Sequence, residues 1–286
     1  MGAIANLFGY VLNFLYNFCN NYGLAIIIFS VILRVILIPI TVSQQKTMKK
    51  NAKMQEKLKE IQFKYKNNPE KLNQETIDLY KKEKMNPFSG CLSSILQIII
   101  ILSVFWLVSK PLTYMKKVDT DVINGYIEEI KNEDGKTASY PEIQVIQRRA
   151  NQDERVNINM NFLGLDLSKV PSQNFKDPTV YIIPVLYVVT SFISIKITNA
   201  SQNKLTKKNA KEGEEKTAED EAMESMQAMN NSMTYMVPIM SISIAFIAPL
   251  GLALYWLISN VLIIVERMVI NKIFEEKDEE EESKNV

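Results

Sequence analysis

Residues 22–42 read YGLAIIIFSVILRVILIPITV, an apolar stretch with one charge, Arg34, near its middle. A helix rises about 1.5 Å per residue, so about 20 such residues cross the ~30 Å hydrocarbon core of a bilayer. The stretch therefore reads as a membrane span with an arginine inside it.

Charge is segregated in the same way along the whole chain. Residues 1–33 carry none, and 85–109, 178–195 and 225–265 are uncharged as well. Each of these runs holds at least one span, and the last is long enough for two, with Ala248-Pro249-Leu250-Gly251 supplying a turn between them. The expected architecture is an all-α integral membrane protein, a bundle of five transmembrane helices at 22–42, 91–108, 179–198, 229–248 and 251–271.

The connecting segments differ in character. Residues 43–84 hold 12 Lys against 6 Asp+Glu, with Met54, Leu58, Ile61 and Tyr65 at helical spacing. The pattern breaks at Asn67-Asn68-Pro69 and resumes at Leu72, Leu79 and Tyr80, which predicts an antiparallel helical hairpin. Residues 110–177 form a polar loop with one apolar patch, 162–167. Residues 199–224 form a charged linker, and 272–286 an acidic tail expected to lack structure from Glu275. Ahead of the first span, Ile4, Leu7, Phe8, Val11, Leu12, Leu15 and Phe18 recur at spacings of three and four. Residues 1–20 thus read as an amphipathic helix lying in the membrane interface, not as a cleaved signal.

Lysine bias sets the expected orientation. Placing the basic hairpin in the cytoplasm puts the N-terminus outside and, after five spans, the C-terminus inside. The long loop 110–177 then lies outside, as long loops can whatever their charge.

Composition excludes several chemistries. There is no histidine, and the only cysteines are Cys19 and Cys91. Zinc sites, histidine-ligated haem, Ser-His-Asp triads and multi-disulfide frameworks fall away. No nucleophile–base pair stands out in the spans, so no catalytic residue, cofactor or metal is expected.

Arg34 demands a reason. A charge at mid-span costs about 2.5–3.5 kcal/mol on insertion scales, and a guanidinium does not escape by losing its proton. Snorkelling to an interface is the bland account, but the end of the span lies about 12 Å away. The nearest acid, Glu266, falls close to a span end, so an internal ion pair is not expected. Other polar groups join it: Ser30, four residues earlier on the same face, Gln97 in the second span, and Trp256 and Asn260, four apart in the fifth. Ordinary interhelical hydrogen bonding is the plain alternative for the amides; together with Arg34 they suggest a hydrated cavity. Met229, Met233, Met236 and Met240 continue a stripe begun at Met223 and Met226. Such a stripe is either core packing or a soft surface for varied apolar partners.

The order of these parts resembles the YidC/Oxa family of membrane insertases. The resemblance rests on Asn21-Tyr22-Gly23-Leu24-Ala25-Ile26-Ile27, the hairpin stretch 60–66, Asn86-Pro87 with Gly90-Cys91-Leu92, Phe162-Leu163-Gly164-Leu165-Asp166-Leu167, 235–240, and Gly251-Leu252-Ala253-Leu254-Tyr255-Trp256 with Ser259-Asn260. Ser93 and Ile99 stand where the family commonly has proline. The resemblance implies a hydrophilic groove in the bundle, open to cytoplasm and lipid and closed outside. Arg34, Gln97 and Trp256 occupy matching groove positions. Nascent membrane proteins would be the substrates, in a bacterial cell membrane. The ribosome, signal recognition machinery and the general secretion channel would be partners, without nucleic-acid specificity. The competing class, a small transporter or channel using Arg34 as an anion site, calls for inverted repeats and broken helices at midplane, and none is visible.

Overall fold

The computed structural model describes residues 2–65, 68–83, 89–207 and 242–284. Helix α1 spans Gly2–Cys19, α2 Tyr22–Lys64, α3 Pro69–Lys82, α4 Ser89–Ser109, α5 Thr120–Asp134, α6 Pro141–Arg149, α7 Ile182–Lys207 and α8 Leu250–Lys284. Three described helices are long and apolar enough to cross a membrane: Tyr22–Thr47, Pro178–Ile197 and Leu250–Ile270. Ile95–Ser109 of α4 is apolar but shorter. Val35 and Ile36 on α2, Val185, Val189 and Phe192 on α7, and Val265 and Val269 on α8 are all exposed. So large an apolar surface suits lipid, not water.

Helix α2 starts where Asn21 caps it, its side chain accepting from Leu24 N at 3.0 Å. It does not stop at the membrane edge. The basic segment continues the same 43-residue helix to Lys64, because residues 43–64 contain no glycine or proline and are rich in Lys, Gln, Glu and Met, good helix formers. Asn68 then caps α3, accepting from Lys71 N at 3.1 Å, with Pro69 in the first turn. Helix α3 runs back along α2, since Tyr65 donates to Glu75 while Lys57, earlier on α2, pairs with Glu83, just past the end of α3.

Residues 110–177 fold into a cap. After α4 a five-residue π-helical turn, Leu112–Lys116, leads to α5 and α6. Strands β1 (Asn161–Phe162) and β2 (Leu165–Asp166) then form a minimal hairpin. Its turn residues, Leu163 and Gly164, both have positive φ, the geometry a two-residue hairpin turn requires. This ribbon is the one β element among the described residues.

The cap supplies acceptors that helix starts lack. The first turn of a helix leaves orphan N–H groups. Tyr22 N donates to Asn159 O, Leu250 N to Lys169 O and Gly251 N to Leu167 O, at 3.0, 2.9 and 2.9 Å. Helices α2 and α8 therefore begin side by side beneath the cap and run in the same direction. A Cβ on Gly23 would lie 2.4 Å from the Phe162 ring, so glycine is what lets the ribbon seat on α2.

Helix α1 corrects the single apolar face expected for it. Ala5, Gly9, Leu12, Leu15 and Tyr16 are buried, whereas Leu7, Tyr10, Phe14 and Phe18 are exposed. The helix docks on the bundle through one apolar face and presents a second, aromatic one. The acidic tail is also corrected: α8 continues through it to Lys284, as 252–284 holds no glycine or proline. Most of the expected fourth span lies outside the described residues; 242–247 is helical and ends in the bend at Ala248.

Candidate functional site

Arg34 lies twelve residues into α2, about 18 Å from its start, and Glu266 sixteen residues into α8, about 24 Å from its start. The two helices start together and run in parallel, so these depths differ by only about one helical turn, a gap two long side chains can span. Arg34 Nη1 sits 3.4 Å from Glu266 Oε2, with side chains 16% and 10% exposed. The expectation that Arg34 lacks an internal carboxylate partner is therefore wrong. Counting from the span end hid the pairing; what matters is the distance of each residue from a shared starting plane, and the cap sets that plane.

The contact is incomplete. It is one hydrogen bond, not the two-toothed fork an arginine and a carboxylate can form. The second carboxylate oxygen of Glu266 is buried without a partner. Arg267, half-buried at the next position, adds a second positive charge to this stretch of α8. The three groups together carry one net positive charge.

Helix α8 presents two polar faces. At 100° per residue, Tyr255, Ser259 and Glu266 fall within about 40° of one another. Tyr255 is buried on the same face as Glu266. Trp256 and Asn260 fall on the neighbouring face, toward α7. The Trp256 ring lies 6.0 Å from that of Tyr187. Asn260 Nδ2 donates to Ser191 Oγ at 3.0 Å and contacts Thr190 Oγ1 at 3.4 Å.

The sequence-derived set thus divides. Arg34 stands at the α2–α8 seam with Glu266 and Tyr255, while Trp256 and Asn260 belong to the α7–α8 seam. Ser30 is buried and donates to Ile26 O at 2.7 Å, so its hydroxyl is spent on its own helix. Gln97 is half-buried on α4, with no hydrogen bond among the described residues. Met229, Met233, Met236 and Met240 lie outside them. Sequence reasoning missed Glu266, Tyr255, Arg267 and Ser191; a helical wheel of α8 groups Tyr255, Ser259 and Glu266, but names no partner helix.

On the cap side, Glu142 is buried and accepts from Thr113 N at 3.0 Å and Thr113 Oγ1 at 2.6 Å. Burial pushes its carboxyl above the usual range, and the Thr113 bonds oppose that rise. Lys169 holds Asp177 down at about 2 by a 2.7 Å ion pair. Lys110 lies over Trp106, Lys116 over Tyr16 and Lys117 over Tyr10, an arrangement of cations and aromatic rings suited to a membrane interface.

A family model described as 60Kd inner membrane protein matches residues 14–278. The chain is 28% identical over 269 residues to "Membrane protein insertase YidC" of Caldanaerobacter subterraneus subsp. tengcongensis, covering 94% of each. A protein of the same name from Fusobacterium nucleatum is 27% identical, with 95% of this chain and 98% of the relative aligned. A third, from Geobacter sp., is 29% identical over 96% of this chain but only 38% of its own length.

Proposed function

The chain belongs to the 60Kd inner membrane protein family, and from that premise we propose that it is a membrane protein insertase, a multi-pass protein of a bacterial membrane. The observation that carries the mechanism is Arg34, a guanidinium held deep in the bundle by a single 3.4 Å contact beneath a folded cap. A positive charge in low dielectric attracts a carboxylate far more strongly than in water. An acidic or polar tail of a nascent membrane protein is drawn toward Arg34 from the end of the bundle away from the cap. Its apolar segment passes into lipid along α7 and α8. No bond is made or broken, and no nucleotide is consumed.

In this reading there are five spans, the cap faces outside, and both the α2–α3 hairpin and the C-terminal end of α8 face the cytoplasm. The hairpin receives substrate or delivery partners such as the ribosome, signal recognition machinery or the general secretion channel. Met229, Met233, Met236 and Met240 are the candidate apolar contacts for substrate, and Gln97 and Trp256 the candidate polar and aromatic ones.

The test is insertion of a small single-span substrate into liposomes holding the purified protein, with an acidic tail and with its acids neutralised. Arg34→Ala is expected to lose chiefly the acidic substrate, and Arg34→Lys to retain much of its insertion. Equal insertion of the acidic substrate by wild type and Arg34→Ala defeats the electrostatic mechanism.

A further inference from the structure

Glu266 has the geometry of an occupant that can be displaced. It meets Arg34 through one oxygen at 3.4 Å, while the other oxygen is buried and unpaired. A well-made arginine–carboxylate pair closes two bonds at about 2.7–2.9 Å. Buried ion pairs roughly break even against their desolvation cost, whereas a buried charge left alone is costly. Opening this pair is therefore cheap only if another carboxylate takes over Arg34 while Glu266 keeps a cation nearby. Arg267, the next residue along α8 and half-buried, is the cation at hand. With two arginines and one glutamate, the cluster reaches neutrality on receiving one further negative charge.

We propose that Glu266 is a specificity-determining residue. It competes from within for Arg34, so a substrate tail enters by carboxylate exchange, one acidic residue at a time. This rests on the insertase reading above and adds to it a residue of this chain that competes with the tail's carboxylates for Arg34. A tail without acids has nothing to exchange. Removing Glu266 leaves Arg34 unoccupied and sharpens its preference for any anion.

The experiment compares wild type with Glu266→Gln in the full-length protein. It reads the ratio of insertion for a substrate with one tail aspartate over its asparagine counterpart, a ratio insensitive to protein abundance. A short labelled peptide bearing that single aspartate, titrated against protein in nanodiscs, gives a readout without translocation. Glu266→Gln is expected to raise both the ratio and the relative peptide affinity by at least about fivefold, the lower end of typical coupling between sites. Arg34→Ala in the same background is expected to abolish the gain, and Glu266→Asp to stay near wild type. Glu266→Met, which removes the carboxylate and every side-chain hydrogen-bonding atom with it, is the second variant and carries the same expectation. An unchanged or lowered ratio in the Gln and Met variants overturns the proposal. Failure of the wild type to insert either substrate would instead overturn the insertase reading.

Discussion

Arg34 and Glu266 lie 232 positions apart in the chain and meet side by side, at 3.4 Å, inside the bundle. Their encounter depends on α2 and α8 starting together under the cap and running in parallel. Removing one partner strands the other as a buried charge, which typically costs roughly 3–5 kcal/mol. Arg34→Ala and Glu266→Ala are each expected to destabilise the detergent-solubilised protein by that order. The double variant should be milder than the sum of the singles. A double-mutant cycle on unfolding free energies measures this, and strict additivity would show that the two charges do not interact.

The seat of the β hairpin on α2 depends on Gly23, where a Cβ would meet the Phe162 ring at 2.4 Å. Gly23→Ala is expected to push the ribbon away and expose the cap to protease, with a loss on the order of 1–3 kcal/mol from overpacking. Adding Phe162→Gly should restore protection, because it removes both the ring and the Phe162 Cβ, which would itself lie 2.6 Å from the new methyl group. Limited proteolysis of the single and double variants reads the outcome; no rescue would place the strain elsewhere.

Glu142 makes the stability of the cap depend on pH. Its folded carboxyl is raised above 4.5 by burial, so the folded state binds its proton more tightly than the unfolded chain does. The penalty for holding the charged form is fully present above the folded pKa and is relieved as pH falls through it. No further change comes once pH is below the unfolded value. Asp177 acts with the opposite sign: its stabilisation is lost as pH falls from the ordinary carboxylate range toward about 2. Thermal unfolding between pH 7.5 and pH 4.5 should therefore show a stabilising component on acidification that is missing from Glu142→Gln. Identical pH profiles for the two proteins would remove Glu142 from the account.

Orientation is tested by labelling. Single cysteines replacing Lys57, Asn132 or a residue of the C-terminal tail, in a Cys19- and Cys91-free background, would be exposed to a membrane-impermeant reagent. Only position 132 is expected to react in intact cells. Labelling at position 57 would invert the topology.

Much of the helical layout can be read directly, because charge is excluded from lipid at a cost of kilocalories per residue. The charge-poor runs 22–42, 179–198 and 251–271 announce helices that the structure contains. The place of Arg34 within its span was equally plain. Its partner was not, since nothing local to Glu266 says which helix it faces. The cap was the least legible element. Residues 110–177 are polar and alternate between turn signals and short apolar groups, and their fold rests on contacts distant in sequence, such as Asn21 Nδ2 to Asn161 O at 2.7 Å and Asn159 N to Tyr16 Oη at 2.8 Å.

The order of residues alone is enough to show that this chain crosses a bilayer repeatedly, carries a basic segment after its first span, and holds one arginine inside that span. Those properties follow from hydrophobic length, helical period and the cost of charge in hydrocarbon, each fixed residue by residue. That Arg34 faces Glu266, that Asn260 turns instead to Ser191, and that a folded cap joins the starts of α2 and α8 comes from the packing of the helices against one another. Those relations depend on the relative register of separate helices. That register is set by close approaches such as Gly23 under Phe162 and Gly251 against Tyr22, which no stretch of the chain encodes alone.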